Sequence, residues 1–283
     1  MKPAKVSLLT LASGLLASSL AVGETVLVPK ISGNELTAKI HLAPGVEADL
    51  SIVFEQAVGL NPSALSLTAT LLDPADPALL ARLPAGGLVT IPAGFPVLVR
   101  VEPTPSSALS FSGISRVSLY THSLTFGANS PLRLFKAPQG GGAFQDMTGF
   151  LELGSVRAGG GTDSYSDFLI VAEARPVGEV IAAKFDAVQS ALTANASAIA
   201  PAVLQDLQNR LNDARALYQA GSLAAAINAI GAFGEEVKRQ SGAAIPDVYR
   251  ANSTLVNVAG LLRCGADTLK FSLTVKSNQP PVP

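Results

Sequence analysis

The sequence has little of what usually carries chemistry or cross-links. There is one cysteine, Cys264, so no internal disulfide can form. Two histidines, His41 and His122, are too few for a His/Cys metal site, which takes three or four ligands. Tryptophan is absent and aromatic residues make up 5% of the chain, which argues against a sugar-binding surface built on exposed rings. Charged residues make up only 14%, and the net charge is −1. A near-neutral chain has no basic stripe for nucleic acid, so no nucleic-acid partner is expected. Apolar residues reach 48%, enough to build a packed core, and disorder is not indicated.

The N-terminus carries the clearest signal. Lys2 and Lys5 precede an uncharged run from Val6 to Val22 rich in leucine, which ends in Ala21-Val22-Gly23 before Glu24. A positive start, an apolar middle and a small-x-small exit form a secretory signal peptide, cleaved after Gly23. The alternative, an uncleaved anchor, is weakened by length: about 17 residues, Ser13, Ser18 and Ser19 among them, are marginal for a bilayer. No cysteine follows the run to take a lipid, and Asn278–Pro283 offers no hydrophobic tail. The expected product is periplasmic or secreted, with no membrane span. In an oxidising compartment disulfides are permitted, so this fold is expected to stand on packing alone. Cys264 is then either a small buried hydrophobe or the site of a bridge between chains.

Residues 24–175 read as β. Alternation of apolar and polar residues runs through Glu24–Val28, Leu36–Leu42, Asp49–Phe54, Leu65–Leu71, Val97–Val101, Ser115–Tyr120, Leu132–Lys136 and Phe168–Val171. Turn signals such as Ser32-Gly33-Asn34, Pro44-Gly45 and Asn61-Pro62 separate them. About eight short strands at this spacing predict an antiparallel β-sandwich. Two glycine clusters, Gly140–Gly142 and Gly159–Gly161, lack the following Lys-Ser or Lys-Thr of a phosphate cradle and are expected at flexible hairpin tips.

The period changes at Arg175-Pro176, and residues 176–265 carry apolar residues at helical spacing. A first helix is expected over Val177–Ala194, with Val177, Ile181, Phe185, Val188 and Leu192 inward. A second starts at Pro201 and stops at Gly221; a third is capped by Ser222 and stops at Gly242. A fourth is expected from Pro246-Asp247 to Gly265, burying Val248, Leu255, Val258 and Leu262. These form a small antiparallel bundle of three or four helices. Leu269, Phe271, Leu273 and Val275 then alternate with polar residues, which predicts a strand over 266–276 returning to the sandwich, followed by a disordered tail at 277–283. The fold class expected is α+β.

Within the helical part, Leu207, Leu211, Ala214, Leu217 and Gly221-Ser222-Leu223 lead to Ala226, Asn228, Ile230 and Ala232-Phe233. Val237, Gln240-Ser241-Gly242, Ile245 and Leu255 follow. The stretch from Leu204 to Leu262 that they span resembles the FIMAH domain, a helical module near the C-termini of extracellular bacterial proteins. Gly231 and Gly234 depart from it, standing where the family favours larger residues. The resemblance implies an accessory, interaction-mediating module; the family offers no catalytic residues to carry over. The stretch Ser164–Val171 is similar to the closing strand of many exported sandwich domains.

No catalytic, cofactor-binding or metal-binding residue is assigned. There is no Gly-x-Ser-x-Gly elbow, and each histidine falls in or beside a strand. Asp73 and Asp76 flank prolines, and Asp163 and Asp167 sit in a Gly/Ser-rich loop without the calcium-loop pattern, although a loop cation site there stays open. Glu235-Glu236 and Lys238-Arg239 read as a solvated helix face. The leading expectation is a non-enzymatic binding or structural protein of the bacterial envelope or extracellular space, its partner an unidentified protein or polymer. The alternatives are a polymer-acting hydrolase or lyase using loop carboxylates, and a subunit of a surface assembly.

Overall fold

The alternation that marks the strands is a sorting of side chains between two faces. In β3 (Glu35–Ala43) the residues Leu36, Ala38 and Ile40 are buried; in β4 (Val46–Val58) so are Ala48, Leu50, Ile52 and Phe54. Their neighbours along each strand face solvent, as the two-residue period of an antiparallel sheet with one wet face requires. The computed structural model describes residues 23–84, 87–127, 130–138, 141–152 and 154–279. The signal peptide expected at residues 1–23, except for Gly23, and the last four residues lie outside this set.

The chain is a mixed α/β protein whose described residues form two antiparallel sheets and five α-helices. One sheet contains β1 (Thr25–Val26), β5 (Leu65–Leu71), β7 (Val97–Pro103), β13 (Asp167–Glu173), β9 (Leu132–Ala137) and β10 (Gln145–Asp146) in that order, with β6 (Val89–Thr90) beside β13. The other runs β11 (Phe150–Glu152), β12 (Gly154–Thr162), β8 (Ser110–Phe126), β4, β3 and β2 (Lys30–Ser32). A further strand, β14 (Val248–Arg250), also pairs with β8. Inward residues of both sheets, among them Leu50, Ile52, Leu67, Val99, Val117 and Phe168, pack into one core. Strand β13 is buried on both faces, which explains its unbroken apolar run: Phe168 and Ile170 enter that core, and Leu169 and Val171 enter a second under the segment from Leu79 to Ile91. That segment holds a short helix, α1 (Pro77–Leu80), whose Asp76 carboxylate accepts from the Ala78 N–H at 2.9 Å. The expected strand at Glu24–Val28 is shorter, and Val26 and Val28 are exposed.

Helices α2 (Val177–Ala194), α3 (Pro201–Gln219) and α4 (Leu223–Gln240) fall where their periodicity places them, and Gly221 and Gly242 follow α3 and α4 at positive φ. Ser222 takes the N-cap position of α4 without a side-chain bond. With α5 (Val258–Ser277) these helices share a core of their own, including Phe185, Leu211, Ile230, Phe233 and Leu269.

The expected fourth helix and final strand are both corrected. Residues 246–257 form no helix: Val248–Arg250 pair with Ser110–Ser112 of β8, and Leu255 is 56% exposed. Residues 266–276 are the second half of α5, which runs through Gly265 without a break. The alternation of Leu269, Phe271, Leu273 and Val275 misled because the buried face of α5 is partly polar. Arg263, Thr268 and Ser272 are buried there beside Leu262, Ala266, Leu269 and Leu273. Counting them as inward restores the three-and-four spacing of a helix. Asn278 caps α5, so the tail expected from 277 begins inside it.

The second glycine cluster is corrected as well. Gly159, Gly160 and Gly161 lie inside β12, paired with Ser118, Val117 and Arg116 of β8. A Cβ at Gly160 would stand 1.8 Å from the Met147 carbonyl oxygen, and one at Gly161 would stand 3.0 Å from Cys264 Sγ. The glycines let the chain at Met147 and helix α5 lie directly on the strand.

Candidate functional site

Helices and sheets meet through two ion pairs, one buried and one partly exposed. On α2, Lys184 stands on the apolar side, one turn from Ile181 and Val188, and is 7% exposed. Its Nζ donates to Asp146 Oδ2 of β10 at 2.6 Å, to Thr268 Oγ1 and O of α5 at 2.6 and 3.0 Å, and to Ser272 Oγ at 2.8 Å. The other Asp146 oxygen accepts from the Thr148 N–H at 2.8 Å. Burial pushes the Lys184 ammonium below its ordinary value, against the pull of Asp146. One lysine thus joins the edge of a sheet to two helices.

The second pair is Arg263 of α5 with Glu55 of β4, bidentate at 2.7 and 2.6 Å. Burial raises the Glu55 pKa, but the Arg263 bonds and charge, with the Ile114 N–H, outweigh it and hold the carboxyl below its usual range. Beside it Asn257 accepts from the Gly260 N–H at 2.8 Å, capping α5, and donates to the Gly113 carbonyl at 2.6 Å.

Between these elements lies a groove of about 330 Å³. One wall is apolar and built from small residues of α2 and α5: Ala183, Ala187, Val188, Ala191 and Leu261. The opposite wall comes from the first sheet and the β12–β13 turn and is polar, with Lys136, Asp146 and Asp163. Lys136 Nζ donates to Asp163 Oδ1 and Thr162 Oγ1, both at 2.8 Å, and to Ser164 Oγ at 3.2 Å. The charged groups of that wall are therefore matched in pairs. Cys264 lines the groove between the walls; burial, with Asp163 nearby, pushes its thiol well above the ordinary range. A thiol held protonated is a poor nucleophile.

The residues weighed from the sequence lie elsewhere or serve the fold. His41 on β3 meets Glu47 at 3.0 Å across an exposed ladder, and His122 on β8 packs edge-on against Tyr120. Neither lines the groove. Asp163 and Asp167, read together as loop carboxylates, are separated in role. Asp163 pairs with Lys136, whereas Asp167 is fully buried in β13 and held by Arg82 at 3.1 Å and Arg100 at 2.8 Å. Asp73 and Asp76 bond the N–H groups of Ala75 and Ala78. Glu236, expected on a solvated face, is buried and bonded by Arg239 and Gln240. Among the described residues no group of three or more His, Cys, Asp or Glu is placed to hold a metal ion, and no helix is long and apolar enough to cross a membrane.

The groove and its polar cluster were missed in the sequence, although a lysine at an inward position of an amphipathic helix is a legible signal. Fold and site together describe a mixed α/β protein with a ligand-sized groove where its helices meet its sheets. The chain belongs to DUF6689, a family of unknown function, whose profile covers residues 7–276. No curated protein and no solved structure matches it.

Proposed function

We propose that this is an exported, non-enzymatic binding protein of the bacterial envelope or extracellular space. In this reading a β-sandwich and an antiparallel helical bundle are fastened by ion pairs, and the groove between them takes a small, neutral, amphipathic molecule. The observation that carries the reading is the makeup of the groove. Its apolar wall is lined by small side chains that leave room, and its polar wall has Lys136 matched by Asp163 and Lys184 matched by Asp146. Apolar lining with a few fixed polar groups is the usual makeup of a small-molecule site. With the charges paired and the thiol held protonated, the groove has polar groups that orient a ligand and no activated nucleophile. The signal-peptide pattern at residues 1–23 supports export, and the FIMAH-like pattern at 204–262 supports an accessory role.

The test is titration of the mature protein with N-phenyl-1-naphthylamine, a neutral amphipathic fluorophore. Saturable one-to-one enhancement is expected, and Ala187→Trp, which fills the groove from its solvent-facing side, should abolish it. Enhancement that fails to saturate, or that survives Ala187→Trp unchanged, would count against the groove as the site.

A further inference from the structure

A second cavity of about 300 Å³ lies where the start of α2, the end of α5 and strand β9 converge. It shares Arg175 and Val180 with the first groove but differs in charge. Its distinctive group is Arg133 of β9. Arg133 Nη1 donates to the carbonyl oxygens of Ser130 at 2.9 Å and Leu132 at 2.7 Å, and its guanidinium lies 5.3 Å over the Phe271 ring. Those bonds leave the edge formed by Nε and Nη2, the edge that grips a carboxylate side-on. Among the described residues no carboxylate comes within 4 Å of this guanidinium.

The acids around it are engaged elsewhere. Glu173 accepts from Arg175 Nε at 2.9 and 3.1 Å and from its Nη2, and Asp146 is bonded to Lys184. Both act on Arg133 only at a distance, while burial works against its charge. The first turn of α2, with Val177 and Val180 in the wall, adds the positive end of a helix dipole, offset in part by Glu179 in the same turn. At the end of α5, two of the last carbonyls, Thr274 O and Lys276 O, accept from the N–H groups of Asn278 and Gln279. A half-buried guanidinium without a counter-ion is costly, and an anion would relieve that cost. The remaining lining is mixed, with Phe126, Leu151, Phe271 and Val275 on the apolar side and Ser272, Thr274, Asn278 and Gln279 on the polar side.

We propose that this cavity binds a small carboxylate carrying an aromatic or aliphatic group, its carboxylate on the Nε/Nη2 edge of Arg133 and its apolar part against Phe271, Phe126 and Leu151. The site stands on its own observations and does not require the first groove to be occupied.

The experiment uses the mature protein with benzoate, benzamide and inorganic phosphate as probes, read by thermal shift and calorimetry. Benzoate should bind saturably one-to-one and raise the melting midpoint by about 5 °C or more at a hundredfold excess over its Kd. Benzamide, the neutral analogue, should give no shift, and phosphate should give a smaller one than benzoate. Arg133→Met should abolish the benzoate shift. Arg133→Lys keeps the charge but loses the fork and should weaken binding at least about tenfold. Lys39→Met, at the exposed pair with Asp49, should leave it unchanged. Should Arg133→Met fail to fold, Arg133→Lys and Phe271→Ala decide the matter, since each must weaken benzoate. No saturable binding, equal shifts with benzamide, equal or larger shifts with phosphate, or full retention in the Arg133 variants would overturn the proposal. An Arg133 that serves only to hold the carbonyls of residues 130–132 predicts the first of these.

Discussion

Lys184 of α2 and Asp146 of β10 meet at 2.6 Å, and the same ammonium reaches Thr268 and Ser272 of α5. Three elements distant in sequence are joined at one buried atom. The ion pair's own attraction does not account for its stability, because burial already pushes Lys184 below its ordinary value. What holds it is that each donor and acceptor has a partner; removing one side leaves a buried charge alone. Lys184→Met and Asp146→Asn should each cost about 3–5 kcal/mol, and the double variant distinctly less than the sum. Urea denaturation of the four proteins checks this, and additive costs would mean that the two residues do not act as a unit.

Glu55 gives the pH dependence. Its folded pKa is lowered below the ordinary 4.5, so it adds stability above that value, and this is lost as pH falls through the folded value. The carboxylate is about one third exposed, which screens the pair. Glu55→Gln should therefore cost only about 1–2 kcal/mol at pH 7. The gap to the parent should narrow below pH 4.5 and close once Glu55 is protonated. Thermal melts from pH 3 to 7 read this directly, and a gap constant with pH would remove the ionic account.

Two glycines predict opposite signs. Gly160→Ala drives a methyl into the Met147 carbonyl and should cost on the order of 3 kcal/mol or more, or prevent folding. Gly178→Ala sits in α2 with its nearest neighbour, Tyr218 Oη, at 3.6 Å. It should stabilise by about 0.5–1 kcal/mol through helix propensity. Chemical denaturation of both proteins distinguishes this from a uniform sensitivity to substitution.

The thiol of Cys264 should be slow to react. Burial raises its pKa, which keeps the thiol protonated, so alkylation at pH 8 should proceed far more slowly in the native protein than in guanidinium. Native alkylation at the unfolded rate, or a disulfide-linked dimer on a non-reducing gel, would contradict this placement.

The strands and helices that were legible are those with one wet face. β3, β4 and α2 alternate or repeat cleanly because solvent sorts their side chains, and α2 falls at Val177–Ala194 as its spacing indicates. What was hidden lies where two layers press together. β12 carries glycines because Met147 and Cys264 approach its backbone, which makes a central strand resemble a loop. α5 is packed against both the other helices and the second sheet, and its inward Arg263, Thr268 and Ser272 break the apolar stripe. The sequence suggested that the chain returns to the sheet after the helices. It does so, but at Val248–Arg250, before the last helix. The groove was illegible for the same reason, since its walls come from separate segments between Lys136 and Thr268 and each of its charges is ordinary alone.

The account rests on the groove between Ala187 and Asp163 being a binding site for a neutral molecule. Amide chemical-shift mapping of residues 24–283 during titration with N-phenyl-1-naphthylamine tests that most directly. The largest saturable changes should fall at Ala183, Ala187, Leu261, Cys264 and Thr268, with little at Lys39, His41 or Asp49 on the exposed sheet face. Changes spread over that face, or none at the groove, would contradict the account.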